Sequence, residues 1–185
     1  MNQDAEQIDD RELMLNAKKG DEDSFATLVR RHQQPLLNHF ARCGASAEAE
    51  DLVQQTFVRV FRYRDRYQPS AKFTTFLFLV ARQVWIDDIR KRNRDARMRD
   101  AWKEEHGEDE LDSSAGPSVS ADAIDLEGAL ASLGEGARAV VDLGVMQGLP
   151  YPEISKILGI PVGTVKSRMF NALRALREFM HAKGR

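Results

Sequence analysis

The sequence predicts an all-α protein of two small helical domains joined by an acidic linker. Three observations carry this expectation. Apolar residues recur at helical spacing over most of the chain. No pair of alternating apolar–polar runs is joined by a Gly-containing hairpin signal. One internal stretch is too polar to pay for its own ordering. The chain has 185 residues, room for one domain or two small ones. Hydrophobic residues make up 42% and charged residues 30%, the balance of a soluble globular protein.

The expected organisation is a tail over 1–20, a first helical domain over 21–94, a linker over 95–123 and a second helical domain over 124–185. In the first domain, Phe25, Leu28, Val29, Leu36, Leu37 and Phe40 form one helical stripe, with a kink expected at Pro35 and an end at Gly44. A second helix is expected to start near Ser46, an N-cap residue followed by Glu48, Glu50 and Asp51, and to bury Leu52, Val53, Phe57, Val60 and Phe61. A third pattern over Thr74 to about Arg92 buries Phe76, Leu77, Val80, Ala81, Val84 and Ile89. Residues 104–120 (EEHGEDELDSSAGPSVS) carry several acids and no Lys or Arg, which reads as a linker. A structureless loop of that length would be unusual inside one compact domain.

The second domain opens with Leu126, Leu130 and Leu133, then a helix around Ala137 to Val145. Gly148-Leu149-Pro150 breaks the chain. A short helix over Pro152 to Leu158, a tight turn at Gly159-Ile160 and a longer helix from Val162 to about His181 follow. That order is a helix-turn-helix signature. Ile154, Ile157 and Leu158 face the core from the first helix; Val165, Met169, Leu173 and Leu176 do so from the second. Thr164, Lys166, Ser167, Phe170 and Asn171 remain to meet a major groove.

Net charge is only −2, but the charge is segregated. Residues 82–103 hold eight basic against four acidic residues, and residues 150–185 hold seven against two. Phosphate binding needs local positive charge rather than a basic average. The second patch coincides with the helix-turn-helix; the first also suits a helix C-terminus complementing its dipole.

The run Pro-Val-Gly-Thr-Val-Lys-Ser-Arg at 161–168, with its lead-in at Ala129-Leu130, Leu133 and Ala137 to Val141, resembles the carboxy-terminal (region 4) domain of extracytoplasmic-function, group 4, RNA polymerase sigma factors. Glu50 to Arg62 is similar to the helix that these proteins lay against the polymerase β′ clamp. Phe73 to Arg90 is similar to the helix that melts and reads the −10 element. Two motifs in the right order, one linker apart, are stronger than either alone. There are departures: Phe76 stands where the family usually has Trp, Gln83 where it has Asn, and Asn171 where some relatives have Arg.

The resemblance implies a promoter-specificity subunit whose partners are core RNA polymerase (the β′ clamp helices and the β subunit), promoter DNA and an anti-sigma factor. It implies core-binding roles for Asp51, Gln54, Gln55, Val58 and Arg62. Val58 is equally well read as an incidental exposed valine. The loop between the second and third helices receives a flipped base in relatives, and Tyr67, Gln68, Ser70 and Lys72 have suitable chemistry. Tyr63 and Tyr67 suit capping the core equally well. Arg82, Arg90 and Lys91 complete the −10 candidates. Thr164, Lys166, Ser167, Arg168, Phe170, Asn171 and Arg174 are the −35 candidates. The two elements lie about 25 base pairs apart, roughly 85 Å at 3.4 Å per pair, and about 30 linker residues reach roughly 100 Å at most.

Other classes fit less well. A regulator with a similar helix-turn-helix would need a sensor or receiver domain, and no α/β receiver pattern precedes it. No Gly-rich phosphate loop, nucleophile motif or Cys/His cluster of zinc spacing appears, so neither an enzyme nor a small-molecule substrate, cofactor or metal is expected. The lone Cys43 fits a reducing cytoplasm. The acidic N-terminus lacks the apolar core of a signal peptide, and no apolar run approaches the roughly 18 residues that span a bilayer.

Overall fold

A computed structural model describes residues 8–70, 72–106, 128–130 and 132–183. All regular elements among them are helical. The expected linker beyond residue 106 and Leu126 lie outside the described residues.

The chain opens with α1 (Asp10–Lys18), where the sequence led us to expect a tail. Its Leu13, Met14 and Ala17 are buried on one face. Asp10 pins it to the next helix by accepting hydrogen bonds from Arg31 (2.7 Å) and the His32 ring (2.6 Å). Burial alone would raise the Asp10 pKa; the His32 and Arg31 contacts outweigh this and hold it below the usual carboxylate value. Helix α2 (Glu22–Arg42) starts at Asp21, whose carboxylate accepts from the backbone N–H groups of Asp23 and Ser24. It runs through Pro35 as one element.

Helix α3 (Ala49–Arg62) begins three residues after the expected cap at Ser46; Glu48 precedes it and makes no side-chain cap. A 3-10 turn at Arg64–Arg66 leads to α4 (Phe73–His106). This helix continues past Arg94, where the linker was expected to begin, because Asp95 to His106 lacks Gly and Pro and includes good helix formers. Helices α1 to α4 enclose Phe40, Leu52, Tyr67, Phe73, Leu77 and Phe78. Phe61, expected inside, is exposed: it stacks edge-on to Phe25 and carries the Arg64 guanidinium on its face.

The second body comprises α5 (Glu135–Val141), a π-helical turn at Asp142–Met146, α6 (Tyr151–Leu158) and α7 (Val162–Lys183). Gly159 ends α6 with φ 63°, a left-handed conformation that disfavours side chains with a Cβ. Ser155 donates to the Ile160 carbonyl across the reversal (2.6 Å). Val140, Leu143, Ile154, Ile157, Val165, Met169 and Ala172 fill the core. Leu173 was expected inside but faces out, and Ala172 takes the inner position. The 3.6-residue period closes the stripe at 165, 169 and 172, and the small Ala172 side chain permits close helix approach.

The two bodies touch. Helix α4 packs across α6, with Thr75 donating to Glu153. Asp142 of the π turn reaches α2, receiving His39 Nδ1 at 2.5 Å and Arg42 at 2.8 Å. Arg138 of α5 donates to the Arg42 carbonyl at 3.3 Å.

Candidate polymerase and nucleic-acid interfaces

Three surfaces gather the residues singled out above. On α3, Asp51, Gln54, Gln55, Val58 and Arg62 all lie outside the core, at spacings of three and four residues that place them on one stripe. Gln55 donates to Asp51 at 2.7 Å, ordering the polar end. Val58 is 51% exposed. The sequence reading missed what surrounds it: Phe61, one turn on, is also exposed and lines a shallow apolar hollow with Phe25, Ala26 and Val29 of α2. Val58 and Phe61 are thus two exposed apolar residues on one helix face, and the hollow beside Phe61 is lined by Glu22 and Arg30 as well, the mixture of apolar and polar groups usual at a protein interface. The signal was available, since 58 and 61 share a helix face. Arg59 is engaged elsewhere, in an ion pair with Asp87 of α4 (2.7 Å).

The second surface is the loop before α4. Gln68, Ser70 and Lys72 are exposed, and Ser70 and Lys72 line a cavity of about 410 Å³ with Asp9, Asp10, Arg11, Phe73 and Thr74. Tyr67 is not available to it. The ring is 2% exposed and packs on Phe73 and Phe76, so it caps the core. Burial raises its phenol pKa. Tyr63 is half-buried under Arg66. Arg90 and Lys91 are exposed on α4, roughly 25 Å along the helix from Lys72 at 1.5 Å per residue. Arg82 lies apart from both, turned toward the second body: its guanidinium approaches Gly159.

The third surface is the amino-terminal half of α7. Lys166, Ser167, Phe170, Asn171 and Arg174 are exposed, Phe170 by 67%. Thr164 is half-buried, and its carbonyl accepts from the Ser167 hydroxyl at 3.1 Å. Arg174 reaches Glu178 at 4.0 Å, a loose surface pair. Arg168 leaves this face. Its guanidinium lies over Gly136 of α5, so closely that a Cβ on Gly136 would stand 2.7 Å from Nη1. Arg82 and Arg168 line one cleft between the bodies, about 360 Å³, with His39, Arg42, Trp85, Leu158 and Asp142.

Among the described residues no group of His, Cys, Asp and Glu could hold a metal ion, and no helix is long and apolar enough to cross a membrane.

Comparison with known proteins identifies two family regions in the chain. Sigma-70 region 2 matches residues 28–95, and Sigma-70 region 4 matches residues 123–176. The chain is 34% identical over 182 residues to the ECF RNA polymerase sigma factor SigW of Bacillus subtilis, covering 91% of this chain and 95% of that one. It is 35% identical over 161 residues to ECF RNA polymerase sigma factor SigE of Mycolicibacterium smegmatis, covering 85% of this chain but 62% of that longer protein. Two solved structures are similar, each 25% identical. CnrH in complex with the cytosolic domain of CnrY gives a TM-score of 0.67 over 94% of this chain and 97% of that one. The Bartonella quintana sigma factor RpoE in complex with the anti-sigma factor NepR gives 0.66 over 85% and 96%. With region 2 matched from α2 into α4 and region 4 matched through α5 and α6 into α7, the chain belongs to the extracytoplasmic-function family of RNA polymerase sigma factors.

Proposed function

We propose that this chain divides promoter-specific initiation among its three surfaces. The α3 strip of Asp51, Gln54, Gln55, Val58 and Arg62 docks on core polymerase, with Phe61 extending its apolar part. Gln68, Ser70 and Lys72 receive the −10 element, and Arg90 and Lys91 hold its phosphates. On α7, Lys166 donates to guanine acceptors, Phe170 packs on a thymine methyl and Asn171 pairs with adenine, while Arg174 binds phosphate. The observation that carries this reading is the exposure of Phe170 and Asn171 directly after a Gly159 reversal, on the helix that follows it. An aromatic on the polar face of a basic helix has no packing role there. The protein works in the cytoplasm as a binding subunit without enzymatic activity of its own. An anti-sigma factor controls it, as the similar RpoE structure, solved with one, supports.

The test is reconstitution with core polymerase on candidate promoters. Specific initiation is expected only when chain and core are combined. Autonomous, sequence-specific binding to duplex promoter DNA would instead indicate a stand-alone regulator.

A further inference from the structure

We propose that Arg11 of α1 is a further −10 residue: with Lys72 it clasps the backbone phosphate of the nucleotide whose base enters the cavity beside the −10 loop. That cavity has two walls from distant parts of the chain. Pro69, Ser70 and Lys72 come from the loop, and Asp9, Asp10 and Arg11 come from the start of α1. The start of α1 is held from inside the fold. Arg31 donates to the Ile8 carbonyl at 2.8 Å and to Asp10, and the His32 ring, bound to Asp10, packs on Phe73 with centroids 5.1 Å apart. Arg11 is thereby fixed at the rim while its own side chain stays exposed. Burial raises the Tyr67 phenol pKa and the Arg11 charge works against it, so the guanidinium stands close to the residue that opens the loop.

The lining is graded from floor to rim. Phe73 is buried and Thr74 is half-buried, whereas Arg11, Ser70 and Lys72 are exposed. The volume of about 410 Å³ is that of a small-ligand site. A nucleotide carries the same grading: a flat, uncharged base and a charged phosphate. The ring and hydroxyl at the floor can take the base, because aromatic contact and hydrogen bonds replace the stack it leaves. The phosphate belongs at the wet rim, where it keeps most of its hydration. The charge there favours it. Asp10 is taken up by Arg31 and His32, so Arg11 and Lys72 face Asp9 alone. Among the described residues neither Arg11 nor Lys72 is held in an ion pair. The Arg11 fork can give a phosphate two parallel N–H donors, and Lys72 adds a point charge.

The inference rests on the loop's assignment to the −10 element, and its test separates the two. Chain and core polymerase are assembled and titrated, at several salt concentrations, with promoter DNA whose −10 element is single-stranded. Arg11 is exposed and alanine suits a helix, so Arg11→Ala leaves the fold intact. It should weaken binding about tenfold, the worth of a charge-assisted contact. It should also reduce the slope of log affinity against log salt by about 0.7. Arg11→Lys should keep the slope and most of the affinity. The loss in Arg11→Ala should be equal on every −10 sequence. It should persist when an abasic nucleotide replaces each −10 position in turn, because the phosphate remains. A loss that disappears at one abasic position would show that Arg11 reads a base and would overturn the phosphate role. Unchanged affinity in Arg11→Ala, with Lys72→Ala weakened, would overturn the part given to α1 and leave the loop's assignment standing. Unchanged affinity in Arg11→Ala, Lys72→Ala and Gln68→Ala alike would overturn both.

Discussion

The region 2 body fills its interior with rings, Phe40, Tyr67, Phe73 and Phe78, whereas the region 4 body is filled by Val140, Leu143, Ile154, Val165, Met169 and Ala172. The first is a four-helix body with polar contacts of its own, such as the half-buried Asp10 with Arg31 and His32. The second is smaller and leaves its buried acid, Asp142, to be satisfied by the first. The larger body has the larger apolar interior, and the smaller one leans on it for Asp142, although the buried His39 and Thr75 of the first body find partners across the seam between the two. The reading surfaces follow the same division. Region 2 presents a strip and a cavity on a rigid base, and region 4 presents one helix face.

The largest expected effects test this inequality. Phe40→Ala removes a buried ring and should cost about 3–5 kcal/mol; Ile154→Ala should cost about 2–5 kcal/mol. Hydrogen exchange should show Phe40→Ala lowering protection in α1–α4 and also in α5–α7, while Ile154→Ala lowers it in α5–α7 alone. Loss of protection in α1–α4 on Ile154→Ala would remove the asymmetry.

Val58→Glu should weaken binding to core polymerase at least tenfold while leaving helicity intact, because it places a charge in a patch that must desolvate. Unchanged affinity in a core titration would show that the apolar strip on α3 is incidental.

A third effect concerns the seam. Burial alone would lower the His39 pKa, but its hydrogen bond to Asp142, with Cys43 alongside, raises it to about 9. The charged groups lining the same cleft are Arg42 on α2, Arg82 on α4, Glu135, Arg138 and Asp142 around α5, and Arg168 on α7. A raised pKa means that the stabilisation is complete below about 6.5 and is lost as pH rises through about 9. The thermal midpoint of α5–α7 should therefore fall over that interval, and His39→Gln should flatten the profile. An equal fall in the variant would place the pH sensitivity elsewhere.

The smallest effect is on salt dependence. Arg174→Ala should weaken binding on every promoter and reduce the slope of log affinity against log salt by about one. A changed base preference would mean that Arg174 reads sequence.

What could be read from the sequence was local. The α3 stripe, Gly159 and the amino-terminal face of α7 are set by residues three or four apart, and there periodicity suffices. Helix α1 escaped because Leu13, Met14 and Ala17 are few and sit among acids, and their burial depends on α2. Leu173 and Phe61 were placed inside because both are large and apolar, although the helical period turns them outward. The Asp142–His39 contact joins residues 103 apart in different domains, and no local pattern announces it. Arg82 and Arg168 look like DNA contacts in the sequence and lie in the interdomain cleft for the same reason.

The most direct test of the account is whether each body reads its own element. Transcription by reconstituted polymerase is measured on promoters randomised over the −10 and −35 elements, with Gln68→Ala and Asn171→Ala compared with wild type. Asn171→Ala should relax preference at one −35 position, at a cost of about 1–3 kcal/mol, and leave the −10 preference unchanged. Gln68→Ala should alter only the −10 preference. If Asn171→Ala lowers every promoter equally, or either variant shifts the other element's preferred sequence, the division of reading between the α4 loop and α7 is wrong.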